Sequence, residues 1–391
     1  MEHDDLRSLL SPEGLRLLDS LPDYSELGDV VQTVSALRAE GHPPALVSVV
    51  LSQARLRSKA RAKFGPFAER MLFTEAGLEQ ATRLRVAALH AGRYAAAGIT
   101  RVADLGCGIG ADALALSGLD IAVTAVDRDE VTAAIAAFNL APWPQSRVMH
   151  ASAEDVPLDD VDGVWLDPAR RSEGRRLSDP ADWTPSLDFA FGLAERMPVG
   201  VKLGPGIDRD LIPHDAEAQW VSVDREVVEV GVWTGPLARA GIRRSALVLG
   251  AHGTAELTAE ADSADATVGT LGRYLYEPDG AVIRARLIGD LARTLGGRMI
   301  DPTIAYVTTD EPVETPFAAG FEIVAETTID RKAISRLLVA RGIGTLEIKK
   351  RGVDIDPARF RTGLTLKGAA SAVLFLTRVA GERRALLAER V

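Results

Sequence analysis

The chain has little cysteine, little histidine, few aromatic residues and no long apolar run. One cysteine, Cys107, in 391 residues excludes an internal disulfide framework and any zinc or iron–sulfur site built from several thiolates, and suits a reducing cytosol. The 6 histidines show no ligand spacing, so no metal is expected. No apolar run reaches the roughly 20 residues that a bilayer-spanning helix needs, so no membrane role is expected. The opening MEHDDLRSLL is acidic where an export or transit signal is basic, which makes the expected location cytoplasmic. Positive charge is also in deficit, with 45 Lys plus Arg against 55 Asp plus Glu and a net charge of −10. That balance argues against a protein that coats nucleic acid with its whole surface.

What is present points to folded domains. A 47% hydrophobic and 26% charged composition rules out a disordered or fibrous chain, and at roughly 150 residues per domain the length suggests two to three domains. The charge is uneven. Residues 331–391 hold 14 Lys plus Arg against 5 Asp plus Glu, which leaves 31 against 50 in residues 1–330. A basic tail on an acidic body suits one localised contact with an anion, although a solvated charged face has the same composition.

Residues 1–97 read as a helical region. SPEGLRLLDSL offers Ser11 as N-cap and Pro12 at the first helical position, PPALVSVVLSQARLRSKARAKF has helical apolar spacing, and TEAGLEQATRLRVAALHAGRYAAAG reads as one helix stopping at Gly98. From residue 98 to 252 the short β-branched runs ITRVADLG, IAVTAVD, VDGVWLD and PVGVKLG alternate with helical patterns, which implies an α/β, doubly wound parallel sheet. QWVSVDREVVEVGVWTG and RRSALVLG read as antiparallel strands closing its edge, and the polar stretch from Gly250 to Ala266 as a boundary. Residues 253–320 form an accessory segment, with RLIGDLARTLGGRMI read as a helix. Residues 321–391 form a small α+β module in the style of a split βαβ unit.

The most informative stretch is Val102-Ala103-Asp104-Leu105-Gly106-Cys107-Gly108-Ile109-Gly110, a strand and a glycine-rich turn before the helix ADALAL. It fits GxGxxA, so a nicotinamide dinucleotide and an oxidoreductase must be considered. Two carboxylates favour S-adenosylmethionine instead. Asp104 stands where it can meet a positively charged amino group, and Asp127 in AVDRD stands where it can accept both hydroxyls of a ribose. A pyrophosphate gains nothing from Asp104.

On DLGCGIG and AVDRD, residues 72–250 resemble the class I S-adenosylmethionine-dependent methyltransferase family, with its Rossmann-like sheet. The resemblance implies that Asp104, Gly106, Cys107, Gly108 and Gly110 line the methionine end of the cofactor. It places Asp127 on the ribose, Arg128 over the adenine, and Ser152, Ala153 and Glu154 where members contact the adenine amine. Cys107 has no paired base and reads as a small turn filler.

The fourth strand ends in Asp167-Pro168-Ala169-Arg170-Arg171, beside the expected cofactor. The tetrad Asp167, Pro168, Ala169, Arg170 resembles the Asp/Asn-Pro-Pro-aromatic motif of methyltransferases that modify exocyclic amines of bases. A carboxylate and a backbone carbonyl can accept both N–H bonds of such an amine and aim its lone pair at a methyl group. Ala169 and Arg170 depart from that motif, and a plain strand-end turn stays open. Arg170, Arg171, Arg175 and Arg176 suit phosphates, and Lys202 at the end of the fifth strand faces the same cleft. Trp183 is a candidate for stacking on a base, whereas Trp165 reads as sheet packing. Phe73-Thr74 and Gln80-Ala81-Thr82 resemble a segment that covers the cofactor in RNA methyltransferases.

The tail, with Lys349-Lys350-Arg351 and Arg359-Phe360-Arg361, resembles a THUMP-like RNA-binding domain, and the segment before it a ferredoxin-like accessory piece. The tail can also be read as packing or a dimer contact. The combined expectation is an S-adenosylmethionine-dependent methyltransferase acting on a base nitrogen of RNA (tRNA or rRNA) without a metal. A methyltransferase of an anionic small molecule, or a non-catalytic RNA-binding protein with a degenerate site, are the alternatives.

Overall fold

The computed structural model describes the chain apart from residues 169, 170, 173, 174, 177, 178, 180, 181 and 252, with backbone alone at 171, 172, 175 and 176. It divides into two compact units: Met1–Lys202 with Trp233–Ala238, and Leu203–Val232 with Arg239–Val391.

The first unit opens with helices α1 (His3–Leu9), α2 (Pro12–Ser20), α3 (Val30–Ala39), α4 (Pro44–Phe64), α5 (Glu75–Gln80) and α6 (Leu84–Ala96). Ser11 caps α2, its hydroxyl accepting the Gly14 N–H at 3.0 Å, and Pro12 fills the first position, where no N–H partner is needed. The alanine-rich stretch read as one helix is two, broken at Ala81-Thr82-Arg83. The break has a physical cause. The Lys63 ammonium donates to the carbonyls of Leu78, Glu79 and Ala81 at 2.8, 2.7 and 2.8 Å, satisfying the end of α5 and stopping it there. Two buried amides clamp the extended segment before α5. Gln53 exchanges hydrogen bonds with the backbone of Phe73, and Asn139 does the same with Leu72 while also reaching the Ile109 carbonyl at 2.9 Å.

Then follow β1 (Arg101–Leu105), α7 (Ala111–Ser117), β2 (Ala122–Asp127), α8 (Glu130–Leu140), β3 (Arg147–His150), β4 (Gly163–Leu166), the short antiparallel pair β5 (Arg171–Ser172) and β6 (Arg175–Arg176), α9 (Leu187–Leu193) and β7 (Val199–Leu203). The strands β3-β2-β1-β4-β7 lie side by side in that order and run parallel. Chain order reverses direction between β1 and β4, and such a switch point opens a crevice at the carboxyl ends of the strands. Trp165 of β4 packs in the core as its sequence context suggested, stacked on Trp233 with ring centroids 5.3 Å apart.

The second unit holds β8 (Glu217–Val223), β9 (Glu226–Trp233), β10 (Arg244–Gly250) and β11 (Gly253–Ala259). Asp224 and Arg225, both with positive φ, turn β8 into β9, the backbone that tight hairpins require. RRSALVLG is not the antiparallel strand expected. After β9 the chain crosses β8, so this strand lies parallel to β8 on its far side and pairs antiparallel with β11. The polar stretch after Gly250 therefore begins with a strand, hidden because GTAELTA alternates small with polar residues. Glu256 of β11 and the fully buried Glu217 share the Arg239 guanidinium at 2.6 and 2.5 Å, so that strand is tied by charge rather than apolar burial.

Next come β12 (Tyr274–Pro278), α10 (Gly280–Arg284), α11 (Ile288–Thr294), β13 (Arg298–Asp301), β14 (Ile304–Thr309), β15 (Ala318–Thr328), α12 (Arg331–Ala340), β16 (Ile343–Lys350), α13 (Pro357–Arg361), β17 (Ala370–Val379) and β18 (Glu382–Arg390). Their strands form a seven-stranded sheet in the order β13-β14-β12-β15-β18-β17-β16. RLIGDLARTLGGRMI is helical only to Thr294. Gly296, at a φ of +61°, turns the chain into β13. Phe375 anchors this core, with Phe321 and Tyr306 edge-on to it at 4.8 and 5.5 Å.

Candidate active site

All of the geometry in this site lies in the first unit. β1 ends in the glycine turn, where Gly106, Gly108 and Gly110 have φ of +90°, +55° and +86°, backbone that side-chain-bearing residues rarely adopt. The N–H groups of Gly106 and Cys107 both donate to the Val126 carbonyl at 2.9 Å, which fixes the turn against β2. A Cβ on Gly106 would stand 3.2 Å from the Asp167 carbonyl oxygen, so the turn after β1 and the end of β4 need a glycine to approach. Gly106→Ala is accordingly expected to cost about 1–3 kcal/mol of stability. Urea denaturation checks this, and an unchanged midpoint would count against it.

Asp104 is 1% exposed, and neither of its carboxylate oxygens has a hydrogen-bond partner among the described residues. Burial, then the nearby Asp112 and Asp167 carboxylates, push its pKa well above the usual carboxylate range. A buried carboxylate left in this condition is suited to receive a cationic group. Asp127 ends β2. Its two oxygens accept the Gly108 N–H at 3.0 Å and the Asp129 N–H at 2.9 Å, while partial burial raises its pKa. Both bonds aim the carboxylate across the glycine turn. Burial, together with Asp104 and Asp127, pushes the Cys107 thiol well up and so disfavours the thiolate.

Arg128 is exposed, and its carbonyl accepts from the His150 ring at 3.1 Å. After β3, Ser152 and Glu154 are exposed and Ala153 is buried in a single 3-10 turn. The Ala151 N–H on the Asp127 carbonyl, at 3.1 Å, sets this turn beside the end of β2.

From Asp167 a polar chain runs inward. The Lys202 ammonium lies 2.5 Å from the Asp167 carboxylate and donates to the Thr82 hydroxyl at 3.0 Å. Thr82 donates to Asp112 at 2.7 Å, and the other Asp112 oxygen meets the His90 Nδ1 at 2.8 Å. Burial opposes the charge on Asp112, but His90, Lys202 and Thr82 together hold its carboxyl below the usual range. His90 is wedged 4.5 Å from the Trp165 ring. Asp112 and His90 escaped the sequence reading. The only signal was an acidic residue on the otherwise apolar face of ADALAL.

The structure thus brings together Asp104, the three glycines, Cys107, Asp127, Asp167 and Lys202. Pro168 is buried next to Asp167, and Trp183 is 7% exposed. Ala169 and Arg170 lie outside the described residues, as do the side chains of Arg171, Arg175 and Arg176. In the second unit Lys349 sits 2.6 Å from Glu277 and 3.5 Å from Glu347, Lys350 is exposed, and the Arg351 guanidinium lies over the Tyr306 ring at 5.4 Å. Among the described residues no group of three His, Cys, Asp or Glu side chains is placed to hold a metal, and no helix is long and apolar enough to cross a membrane.

Comparison with known proteins bears directly on this site. Proteins of two strains of Mycobacterium tuberculosis, CDC 1551 / Oshkosh and ATCC 25618 / H37Rv, each named an uncharacterized S-adenosylmethionine-dependent methyltransferase, are 33% identical over 338 residues, covering 83% of this chain and 90% of theirs. The chain belongs to the S-adenosylmethionine-dependent methyltransferases. Residues 318–390 match a family described as THUMP domain-like, and residues 2–60 match a domain of unknown function (DUF8688). A solved structure from Porphyromonas gingivalis W83, itself assigned only provisionally as a methyltransferase, is 22% identical with a TM-score of 0.73, covering 100% of this chain and 98% of that one. It shows the same fold. The methyltransferase's cofactor is therefore S-adenosylmethionine, and the buried Asp104 carboxylate suits its cationic amino group.

Proposed function

We propose that this methyltransferase modifies RNA at a base nitrogen, with Asp167 receiving the N–H of the acceptor. The observation that carries the reading is Asp167 itself. It stands at the switch point, its backbone closed against Gly106 and its carboxylate on Lys202. Asp104 would hold the amino group of S-adenosylmethionine, Asp127 its ribose hydroxyls, and the glycine turn the backbone close to it. The cofactor supplies a methyl group on a positively charged sulfur.

The chain's own residues orient the acceptor. The lone pair of an exocyclic amine is delocalised into the ring. Hydrogen bonds from the amine to the Asp167 carboxylate and the Pro168 carbonyl favour a tetrahedral nitrogen, and the carboxylate can take the proton that the nitrogen gives up. The THUMP-like domain supports RNA as the acceptor.

Lys202 acts here as a positioning residue. Lys202→Met is expected to lower kcat about 100-fold with little change in KM, because a misplacement near 1 Å costs that much. Steady-state kinetics with Lys202→Arg alongside checks this, since arginine restores the charge and should recover part of the loss. The reading as a whole is tested with labelled S-adenosylmethionine and total RNA from a strain lacking the protein, followed by nuclease digestion and mass spectrometry. A labelled nucleoside that disappears with Asp167→Ala supports it. Label confined to small molecules overturns it.

A further inference from the structure

We propose that a cleft in the second unit is a phosphate-binding site for the backbone of the RNA substrate. The proposal rests on RNA being the acceptor. The cleft, about 700 Å³, is lined by Arg209, Arg284, Arg286 and Arg351 against one carboxylate, Asp208. Four guanidiniums in one cleft run against the composition of a chain with a net charge of −10.

Internal ion pairs do not use up this charge. Asp262 serves three arginines at once, Arg209 and Arg244 each at 2.7 Å and Arg286 at 3.9 Å. Arg284 donates to the Pro205 carbonyl at 3.0 Å, and Arg351 lies over the Tyr306 ring. No carboxylate lies within ion-pair distance of Arg284 or Arg351 among the described residues. Each keeps forked N–H donors for a phosphate, which arginine meets with two parallel bonds.

Arg286 adds a second line of argument. Its φ is +61°, a backbone conformation that glycine adopts freely and arginine does not, yet its exposed side chain stands at the cleft. That backbone closes the end of α10, where the Arg286 and Leu287 N–H groups donate to the Ile283 and Val282 carbonyls at 3.2 and 3.0 Å, and it leaves the charged side chain outward. The chemistry also selects phosphate over base. The ring in the cleft wall, Trp220, is 1% exposed with its N–H on the Pro205 carbonyl at 3.2 Å, so no aromatic face is offered for stacking. The cleft therefore reads charge and not sequence, as backbone contacts do.

The experiment uses the full chain and labelled bulk tRNA, with binding followed by anisotropy over a salt series. Two variants are compared with wild type: R284A/R351A, and Arg286→Gly at the position whose backbone favours glycine. The double variant is expected to bind about tenfold more weakly and to lose about two units of the slope of log K against log salt. Arg286→Gly should bind more weakly while its melting temperature equals or exceeds that of wild type, which separates contact from folding. S-adenosylmethionine affinity should not change in either. Unchanged RNA affinity and slope in both variants overturn the proposal, as does saturable binding of inorganic phosphate that the variants abolish while RNA binding persists. If the variants lose RNA binding but wild type transfers no methyl group to any RNA, the cleft stands and the RNA-methylation reading falls. If RNA is methylated and bound equally well by all three proteins, the reading stands and the cleft falls.

Discussion

Asp167→Ala is expected to slow methyl transfer by about 10²- to 10⁴-fold, the range for losing a group that positions and deprotonates a nucleophile. Cofactor affinity should change little, because Asp104, Asp127 and the glycine turn are untouched. The variant also removes the carboxylate beside Lys202, whose side chain is only 13% exposed, and a charged group losing its partner costs about 1–3 kcal/mol. Asp167→Asn separates the two effects. It keeps an acceptor oxygen and the side-chain volume, so it should fold normally and retain more activity than alanine. Single-turnover rates and isothermal titration with S-adenosylmethionine give both quantities. Full activity in Asp167→Ala would remove Asp167 from the mechanism.

Asp104→Asn should weaken S-adenosylmethionine binding by about 2–3 kcal/mol, or about 30- to 150-fold, through loss of a charge-assisted contact. The same substitution should stabilise the protein without cofactor. Burial raises the folded-state pKa of Asp104 above its unfolded value. Its contribution to stability is therefore greatest below the ordinary carboxylate pKa and is lost as pH rises toward the raised value. At neutral pH wild type carries that penalty and the asparagine variant does not. Its melting temperature should exceed wild type at pH 7–8 without cofactor, and the gap should close in mild acid. Binding a cationic group to wild type favours the ionised carboxylate, so binding should release protons and tighten with rising pH. Titration in buffers of different ionisation enthalpy measures this. An Asp104→Asn protein that binds as wild type does would remove Asp104 from the cofactor site.

The catalytic sheet was legible because its signals are local. DLGCGIG places strand, turn and helix within ten residues, and an acidic residue ending the next strand needs no knowledge of tertiary contacts. The break at Thr82 was not legible. It depends on Lys63, far back in the chain, reaching over to cap α5. Asp112 and His90 were missed for the same reason, since their meaning comes from each other and from Lys202. Gln53 and Asn139 look like ordinary polar residues of helices until the backbone they clamp is in view. In the tail, ERRALLAER has a helical composition, and β18 forms only because β15 and β17 stand on either side of its buried centre, Ala385–Ala388. Sheet propensity there comes from the neighbours.

Thr82 has a consequence for anyone trimming this protein. Its hydroxyl sits between Lys202, from the last parallel strand, and Asp112, from the helix after the glycine turn. A recombinant fragment starting at residue 98 would contain every residue of the recognisable cofactor motif and still lack that hydroxyl, along with His90 and the Leu72–Phe73 backbone held by two amides. A catalytic fragment is thus expected to need residues ahead of its signature. The helices that precede the motif belong to the enzyme's wiring, and exchanging them for those of a relative should succeed only if the threonine travels with them.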